Sequence, residues 1–140
     1  MTAAAEKKVH LRVITPDKIK LNEKVDMVIM RCTTGDMGVL PNHTACSMIL
    51  DYGVLRVMKP DGVRKMAVYG GIAQMKDNVL TLLANAAQWP NEINRENARS
   101  DYDAAEERLK DKQSLKPEDV LNSQKALKRA KVQLELNPEG

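Results

Sequence analysis

The side chains most able to do chemistry lie between residues 32 and 46. Cys32, His43 and Cys46 place two thiols and an imidazole in one short segment, where they could hold a metal ion. Asp36 adds a carboxylate, which together with His43 could move a proton. The spacing of the cysteines and the histidine matches no common zinc motif, and a fourth ligand is not evident. We therefore predict two buried, reduced cysteines and no metal site.

The motifs of enzyme active sites are missing from the sequence. His10 and His43 are the only histidines, and neither a Gly-x-Ser-x-Gly elbow nor a Gly-x-x-x-x-Gly-Lys-Ser/Thr phosphate loop occurs. Gly70-Gly71 leads from one strand-like run into another, which indicates a bulge or a point of close packing rather than a cofactor loop. The sequence predicts a binding or mechanical protein without a cofactor, not an enzyme.

Composition and charge exclude further classes. The chain is 43% apolar and 29% charged, as expected for a folded domain. Residues 1–90 carry 12 Lys/Arg against 8 Asp/Glu, and residues 91–140 carry 10 against 11. No dense basic stripe with interleaved aromatic residues results, so nucleic acid is not an expected partner. No run approaches the roughly 20 apolar residues of a membrane-spanning helix, and Met1–Lys8 lacks the apolar core of a signal peptide.

The sequence pattern around these side chains predicts an α+β fold. The first domain is expected to span residues 1–88. Val9, Leu11 and Val13 alternate with polar residues, and we expect Val25, Met27 and Ile29 to continue that alternation on a second strand. Closely spaced strands favour an antiparallel β-sandwich or flattened barrel. Turns or interruptions are expected at Pro16-Asp17, Gly35–Gly38, Leu40–His43, Lys59–Gly62 and Lys76–Asn78.

Residues 89–140 are expected to form the second domain, an antiparallel hairpin of two helices. One amphipathic stripe consists of Ala98, Tyr102, Ala105 and Leu109. The chain breaks at 111–116, and Ser114 is the expected N-cap of the next helix, with Pro117, Glu118 and Asp119 in its first turn. Because the apolar stripes of both helices are narrow and rich in Ala, the hairpin buries little area and is expected to be able to detach from its neighbour. A hairpin fixed permanently on the first domain is an equally open alternative. The second stripe is formed by Val120, Leu127, Ala130 and Leu134, and the helix is expected to end at 137–140.

Ordered motifs along the chain resemble one known family. Gly35–His43 matches a loop of the form G-x-x-G-x-L-P-x-H, followed by Gly53–Leu55, Tyr69–Ile72, Asp77–Ala84 and, near the end, Ala126–Ala130. Over about residues 8–136 the sequence is similar to epsilon subunits of rotary F-type ATP synthases, of the bacterial type.

This resemblance implies a non-catalytic central-stalk subunit of a complex for ion transport and ATP synthesis. Its sandwich sits on the gamma subunit and on the polar loops of the membrane c-ring, and its hairpin can rise toward the catalytic beta subunits and hinder ATP hydrolysis. Asp36 then faces the ring, and His43 lies near the edge that faces gamma and the ring. A purely structural role for His43, in satisfying its turn, remains equally open. The implied location is peripheral, at the cytoplasmic face of the bacterial plasma membrane, without direct membrane insertion.

The nucleotide-binding positions of some family members are altered here. Their motif I-D-x-x-R-A corresponds to Ile93–Ala98, in which Asn94 replaces the acid, Asn97 replaces the arginine and Ala98 is kept. Gln88 stands where binders tend to have Glu. Arg129 matches an arginine on the phosphate side, and Gln133 replaces a further one. Because lost cations remove charge-assisted hydrogen bonds to a triphosphate, the sequence predicts weak or absent ATP binding.

Four cations within seven residues of the second helix offer another means of control. We expect Lys125, Lys128, Arg129 and Lys131 to meet acidic loops of the beta subunits when the hairpin extends, although a simply solvated face is the alternative. Rival interpretations of the whole chain are a free-standing sandwich adaptor with a helical tail, and a small hydrolase using Asp36 and His43. The related mitochondrial subunit is disfavoured because Met1–Lys8 lacks an Arg- and Ser-rich transit segment.

Overall fold

The computed structural model describes residues 7–136, and within them the chain divides after Gln88 into two compact units. Expectations about residues 1–6 and about the end of the last helix at 137–140 lie outside the described residues. Helices α1 (Arg95–Leu109) and α2 (Pro117–Glu135) form the second unit, with 3-10 turns at Pro90–Glu92 and Lys112–Ser114. The first unit consists of β1 (Val9–Ile14), β2 (Ile19–Val25), β3 (Met27–Cys32), β4 (Gly35–Val39), β5 (Cys46–Lys59), β6 (Gly62–Lys76), β7 (Val79–Ala84) and β8 (Ala87–Gln88).

The strands form one sheet in the order β2-β1-β7-β6-β5-β3-β4, with β8 on β6. Every neighbouring pair is antiparallel, as predicted, except that β1 runs parallel to β7, with Leu11 opposite Leu80. Local alternation could not reveal this pair, because its two strands are far apart in the sequence.

The sheet folds onto itself and closes as the predicted sandwich. Val25 ends β2 at one edge of the strand order, and Met27 begins β3 near the other edge, so the chain itself joins the two edges. Glu23 of β2 completes this closure across the gap, with its Oε1 3.2 Å from Lys59 Nζ and 3.6 Å from Arg64 Nη1. The enclosed core contains the buried Tyr69 and is otherwise largely aliphatic. Its aliphatic members include Val9, Leu11, Val13, Val28, Met30, Leu55, Val57, Met66, Ala73, Met75, Leu80 and Leu82.

The predicted side-chain phase of the second strand is wrong. Val28 and Met30 are buried, whereas Met27 and Ile29 are only half-buried, so the alternation shifts after Asp26. Asp26 stands alone between β2 and β3, where its N–H donates to Met58 O at 2.9 Å. A single residue inserted at this corner moves every following side chain to the other face.

The expected interruption at Gly35–Gly38 is also wrong, because these residues belong to β4. The turn lies earlier, at Thr33-Thr34, and sets β3 and β4 in register as a hairpin. The predicted turn at Lys76–Asn78 is confirmed. Asp77 (φ 51°) and Asn78 (φ 63°) are both left-handed there, as a two-residue hairpin turn of the primed type requires.

The hairpin of the second unit is antiparallel, as predicted. In α1, Ala98 and Ala105 are buried and Tyr102 is half-buried, which confirms the stripe. Ser114 is not the N-cap of α2: it ends a 3-10 turn and its hydroxyl donates to Asp111 O at 3.1 Å. Instead α2 starts at Pro117, whose ring fixes φ near the helical value, so no side-chain cap is needed to begin it.

Candidate functional site

The carboxylate of Asp36 is already paired within the chain. Asp36 on β4 lies directly opposite Arg31 on β3, and its Oδ1 accepts a hydrogen bond from Arg31 Nε. Both side chains are about half exposed, so water screens the pair and its contribution to stability is small. The tip of the β3–β4 hairpin thus presents an ion pair rather than a lone acid. A basic partner would have to share the Asp36 carboxylate with Arg31.

His43 is held in a fixed turn. Its N–H donates to Leu40 O at 3.2 Å, and its Nδ1 lies 3.0 Å from Thr44 O. Because a carbonyl oxygen can only accept, this contact places the proton on Nδ1. The half-buried ring therefore has a hydrogen-bond partner in its own turn. This contact supports a structural role for His43.

Asn78 ties the turn that contains His43 to the rest of the first unit. Its Oδ1 accepts from Asn42 N at 2.8 Å, and its Nδ2 donates to Lys8 O at 2.7 Å. Asn42 has φ 64°, a left-handed conformation that Asn tolerates better than most residues. Sequence inspection missed Asn78, and its only visible signal is its place in the hairpin turn.

The two cysteines differ in their surroundings. Cys32 is buried, and its thiol pKa is raised above the ordinary value, first by burial and then by the charges of Asp36 and Cys46. Cys46 is only half-buried, so the prediction of two buried cysteines is right for Cys32 alone. Cys46 Sγ lies 3.9 Å from His43 Nδ1. Between residues 7 and 136, no group of three or more His, Cys, Asp or Glu side chains is arranged to hold a metal ion.

We predict selective labelling of Cys46 in the native protein. Only a thiolate reacts readily with a disulfide reagent such as DTNB, and Cys32 combines burial with a raised pKa. At pH 8 one thiol should react quickly, and the second should react only after denaturant is added. Cys46→Ser should abolish the fast reaction and leave only the thiol that reacts after denaturant is added; equal rates for both thiols in the native wild type would contradict the prediction.

Two of the altered nucleotide positions, Asn94 and Gln88, make structural hydrogen bonds. Asn94 is the N-cap of α1, with its Oδ1 accepting from Asn97 N at 3.0 Å, and Ala98 is buried against the hairpin stripe. On α2, Arg129 is exposed and Gln133 is half-buried, one helical turn apart. Gln88 belongs to β8 in the first unit, and its Oε1 accepts from Tyr69 O–H.

Sequence inspection also missed a clasp at the open end of the hairpin. Arg95 Nη1 donates to Leu134 O at 3.2 Å, joining the start of α1 to the end of α2. A guanidinium near the last carbonyls of a helix is favourable, because those carbonyls lack partners in the helix and carry negative partial charge. The signal for this contact was the antiparallel pairing itself, which brings residue 95 level with the end of α2.

The basic cluster of α2 faces outward. Ser123 and Ala130 are buried on the inner side of this helix, whereas the cluster is exposed throughout. Its members are Lys125, Lys128, Arg129 and Lys131. No helix within residues 7–136 is long and apolar enough to cross a membrane.

The first unit is thus a β-sandwich with an Arg31–Asp36 ion pair beside its β3–β4 turn, and the second is a helical hairpin with an exposed basic face. Residues 8–90 match the family model for the ATP synthase delta/epsilon chain β-sandwich domain, and residues 91–136 match that for the long α-helix domain of the same chains. The chain belongs to the delta/epsilon family of F-type ATP synthases. It is accordingly a non-catalytic subunit of the epsilon type in the central stalk of a rotary complex.

Curated relatives agree over nearly their whole length. The chain is 38% identical over 128 residues to the ATP synthase epsilon chain of Rippkaea orientalis, covering 90% of this chain and 93% of the relative. It is 35% identical over 127 residues to the chloroplastic epsilon chain of Nephroselmis olivacea (91% and 94% covered). The epsilon chain of Caldicellulosiruptor bescii is 33% identical over 130 residues, with 93% of each chain covered. Membership thus places the protein in a membrane-associated complex.

Solved structures support the fold. A chain in the cryo-EM structure of the Euglena gracilis mitochondrial ATP synthase (OSCP/F1/c-ring) matches with a TM-score of 0.82 at 24% identity, covering 96% of this chain and 84% of that one. A chain in the Tetrahymena thermophila mitochondrial central stalk and c-ring matches with a TM-score of 0.55 at 18% identity, with 95% and 96% covered.

Proposed function

We propose that the first domain, residues 1–88, couples the gamma subunit to the c-ring, and that the second, residues 89–140, is a regulatory hairpin that hinders ATP hydrolysis. The observation that carries this proposal is the match of both halves of the chain, in order, to the two domain models of one family. The proposed location is the cytoplasmic face of a bacterial plasma membrane, to which the protein attaches only through its partners.

The ring-facing contact in this proposal consists of the tip of the β3–β4 hairpin, with Asp36, and the turn with His43. The Arg31–Asp36 pair is exposed, so it can exchange partners at little cost in free energy. The turn is fixed by Asn78, and a fixed surface loses less conformational entropy on binding than a flexible one.

Copurification tests the coupling role. An affinity tag on this chain should recover gamma and the c-ring from detergent-solubilised membranes of the same organism, in the stoichiometry of an assembled synthase. Recovery of other proteins without gamma would overturn the proposal and would favour a free-standing adaptor.

A second prediction concerns the basic cluster. Changing Lys125, Lys128, Arg129 and Lys131 to Gln should raise the ATP hydrolysis rate of the assembled complex several-fold, because acidic loops of the beta subunits would lose their electrostatic partners. The matched control changes four other exposed cations of the second unit to Gln and should leave hydrolysis unchanged. An unchanged rate in the cluster variant would reject this contact. The control cations are Arg99, Arg108, Lys110 and Lys116.

We further propose that the hairpin does not sense ATP. At the two positions where nucleotide-binding relatives carry cations, Asn97 and Gln133 offer only neutral amides, and Asn94 is engaged in capping α1. A neutral amide makes weaker hydrogen bonds to a phosphate than a guanidinium does. Position of the hairpin is then set by protein contacts instead of nucleotide.

A further inference from the structure

The side chain of Arg31 starts from a position that the neighbouring strand fixes. Gly53 on β5 is buried against it, and a Cβ added to Gly53 would stand 2.4 Å from Arg31 Cβ and 2.8 Å from Arg31 Cγ. Any side chain at residue 53 would therefore displace the stem of Arg31. The stem lies on the backbone of Gly53, while 45% of the Arg31 side chain remains exposed and its Nε donates to Asp36.

The tip of the β3–β4 hairpin carries two opposite charges side by side. From Arg31 to Met37 the sequence contains one cation and one anion, Arg31 and Asp36, so this tip has no formal net charge. The two residues lie directly opposite one another on β3 and β4, which places their side chains about 5 Å apart. A partner that approaches this tip meets both signs of charge together.

A second acid near Arg31 is less available to a partner. Asp51 on β5 lines the same small cavity as Arg31 and Gly53. It is half-buried, and its Oδ1 accepts a hydrogen bond from Tyr52 N at 2.8 Å. Its negative charge favours keeping the guanidinium of Arg31 beside the tip when Asp36 turns toward a partner. Asp36, with 50% of its side chain exposed, is the acid that a partner reaches.

We propose that Arg31 is a specificity-determining residue of this tip, which selects a polar loop that carries a carboxylate and a cation about 5 Å apart. A loop with only a cation is attracted by Asp36 and repelled by Arg31, and the two effects nearly cancel because both charges lie at similar distances. A loop with both charges avoids this conflict, since its cation pairs with Asp36 and its carboxylate accepts from the guanidinium of Arg31. Arg31 thus disfavours purely basic partners, and such repulsion is a common source of specificity.

This inference rests on the proposed function, in which the tip faces the polar loops of the c-ring, and deepens it by naming the chemistry of those loops. The ring loop of the same organism should present an acid and a base together. Arg31 is the new element, because the family motif at Gly35–His43 begins four residues after it.

The opposite effect is expected if Arg31 merely competes with the partner for Asp36. Removing the cation would then free the carboxylate for a basic loop and tighten binding. In the contact with two charges, removing Arg31 leaves the carboxylate of the loop facing Asp36 without a cation between them, so binding weakens. The sign of the change therefore separates the two explanations.

The test measures how the complex of gamma with the full chain binds to the purified c-ring of the same organism, in detergent at low salt. Arg31→Gln and Asp36→Asn should each raise the Kd about fivefold. The double variant should show about the same loss as either single variant, because a neutral tip repels neither charge of the loop. Arg31→Lys keeps the positive charge and should bind more tightly than Arg31→Gln.

A charge exchange tests the arrangement without changing the net charge. Arg31→Asp with Asp36→Arg keeps a cross-strand ion pair, but each charge of the loop then meets a like charge, so the Kd should rise at least about tenfold. The matched control exchanges another exposed pair, Glu107→Lys with Lys110→Glu near the end of α1, and should stay within about twofold of the wild type. Circular dichroism melts show that each variant is folded, and the differences should shrink as salt rises.

The outcomes separate this inference from the proposed function. If the wild type binds the ring and Arg31→Gln binds equally well or more tightly, the inference is overturned and the ring contact of the proposed function stands. A charge-exchanged variant that binds as the wild type does would also overturn the inference. If the wild-type complex with gamma does not bind the ring, the proposed ring contact fails and the inference fails with it.

Discussion

Replacing Gly71 by Ala should destabilise the first unit by about 3–5 kcal/mol, the largest effect of any single methyl addition we expect in this chain. Gly71 lies within β6 at φ 139°, a conformation that side chains rarely adopt. A Cβ there would stand 2.2 Å from Leu83 O and 2.8 Å from Ala84 Cα on β7. Both atoms belong to backbone, so no side chain can move aside, and the strands must separate instead.

Gly62 supplies the matched control, because it has the same φ of 139° but nothing within 4 Å of an added Cβ. Gly62→Ala should therefore report backbone strain alone, about 1–2 kcal/mol. Urea titrations followed by the circular dichroism of the strands measure both free energies of unfolding. Equal losses for the two variants would show that the contact with β7 contributes nothing and that the close-packing interpretation of Gly70-Gly71 is mistaken.

The strands that could be predicted from the sequence are those whose signals are local. The alternation of β1 needs only period two, and the turn at Asp77-Asn78 is written in residues that tolerate positive φ. The parallel pairing of β1 with β7 has no local signal, because it depends on the global strand order. The corner at Asp26 could not be predicted for a related reason. A one-residue shift in the buried positions cannot be distinguished from continued alternation until the bounds of β2 and β3 are known.

The candidate site residues show the same difference between local and nonlocal signals. Asp36 was identified through its motif, but its partner Arg31 was not, because the turn had been placed at Gly35–Gly38 instead of Thr33-Thr34. With the turn moved by two residues, the register alone would have put Arg31 opposite Asp36. Ser114 has the chemistry of an N-cap, yet Pro117 starts α2 three residues later. Residue type therefore pointed to Asp36 as a candidate site residue, whereas the strand register decided its partner.

Strand pairing also shows what alternation can hide. An isolated Ile or Leu on an outer face needs no explanation, and Ile49, Ile72 and Leu83 are each unremarkable within their own strands. Only the registers reveal that these exposed side chains are direct neighbours.

Restoring the lost groups should create ATP binding in the hairpin. We expect the variant Asn94→Asp, Asn97→Arg and Gln133→Arg to bind Mg-free ATP at least a hundredfold more tightly than the wild type. Each restored cation adds a charge-assisted hydrogen bond of about 1.5–3 kcal/mol, and two of these multiply to that factor or more. Isothermal titration measures both affinities.

The structure indicates that the two substitutions in α1, Asn94→Asp and Asn97→Arg, are compatible with the fold. Asp is as good an N-cap as Asn, so Asn94→Asp preserves the hydrogen bond to Asn97 N and adds a negative charge where the start of α1 favours one. Asn97 is exposed, so Arg can replace it without displacing the core. Ala98 is left unchanged in its buried position.

Charge alone would be an alternative cause of tighter binding, and a matched variant removes it. Asn122→Arg with Gln124→Arg adds two cations to exposed positions of α2 outside the proposed site and should leave the affinity within about threefold of the wild type, since exposed charges act weakly through water. Micromolar binding by the wild type would refute the proposal that this hairpin does not sense ATP. If the triple variant gains no more ATP affinity than this control, then Asn97 and Gln133 do not stand where a triphosphate could reach them. The weak or absent ATP binding of the wild type would then have a cause other than the missing charges at these two positions.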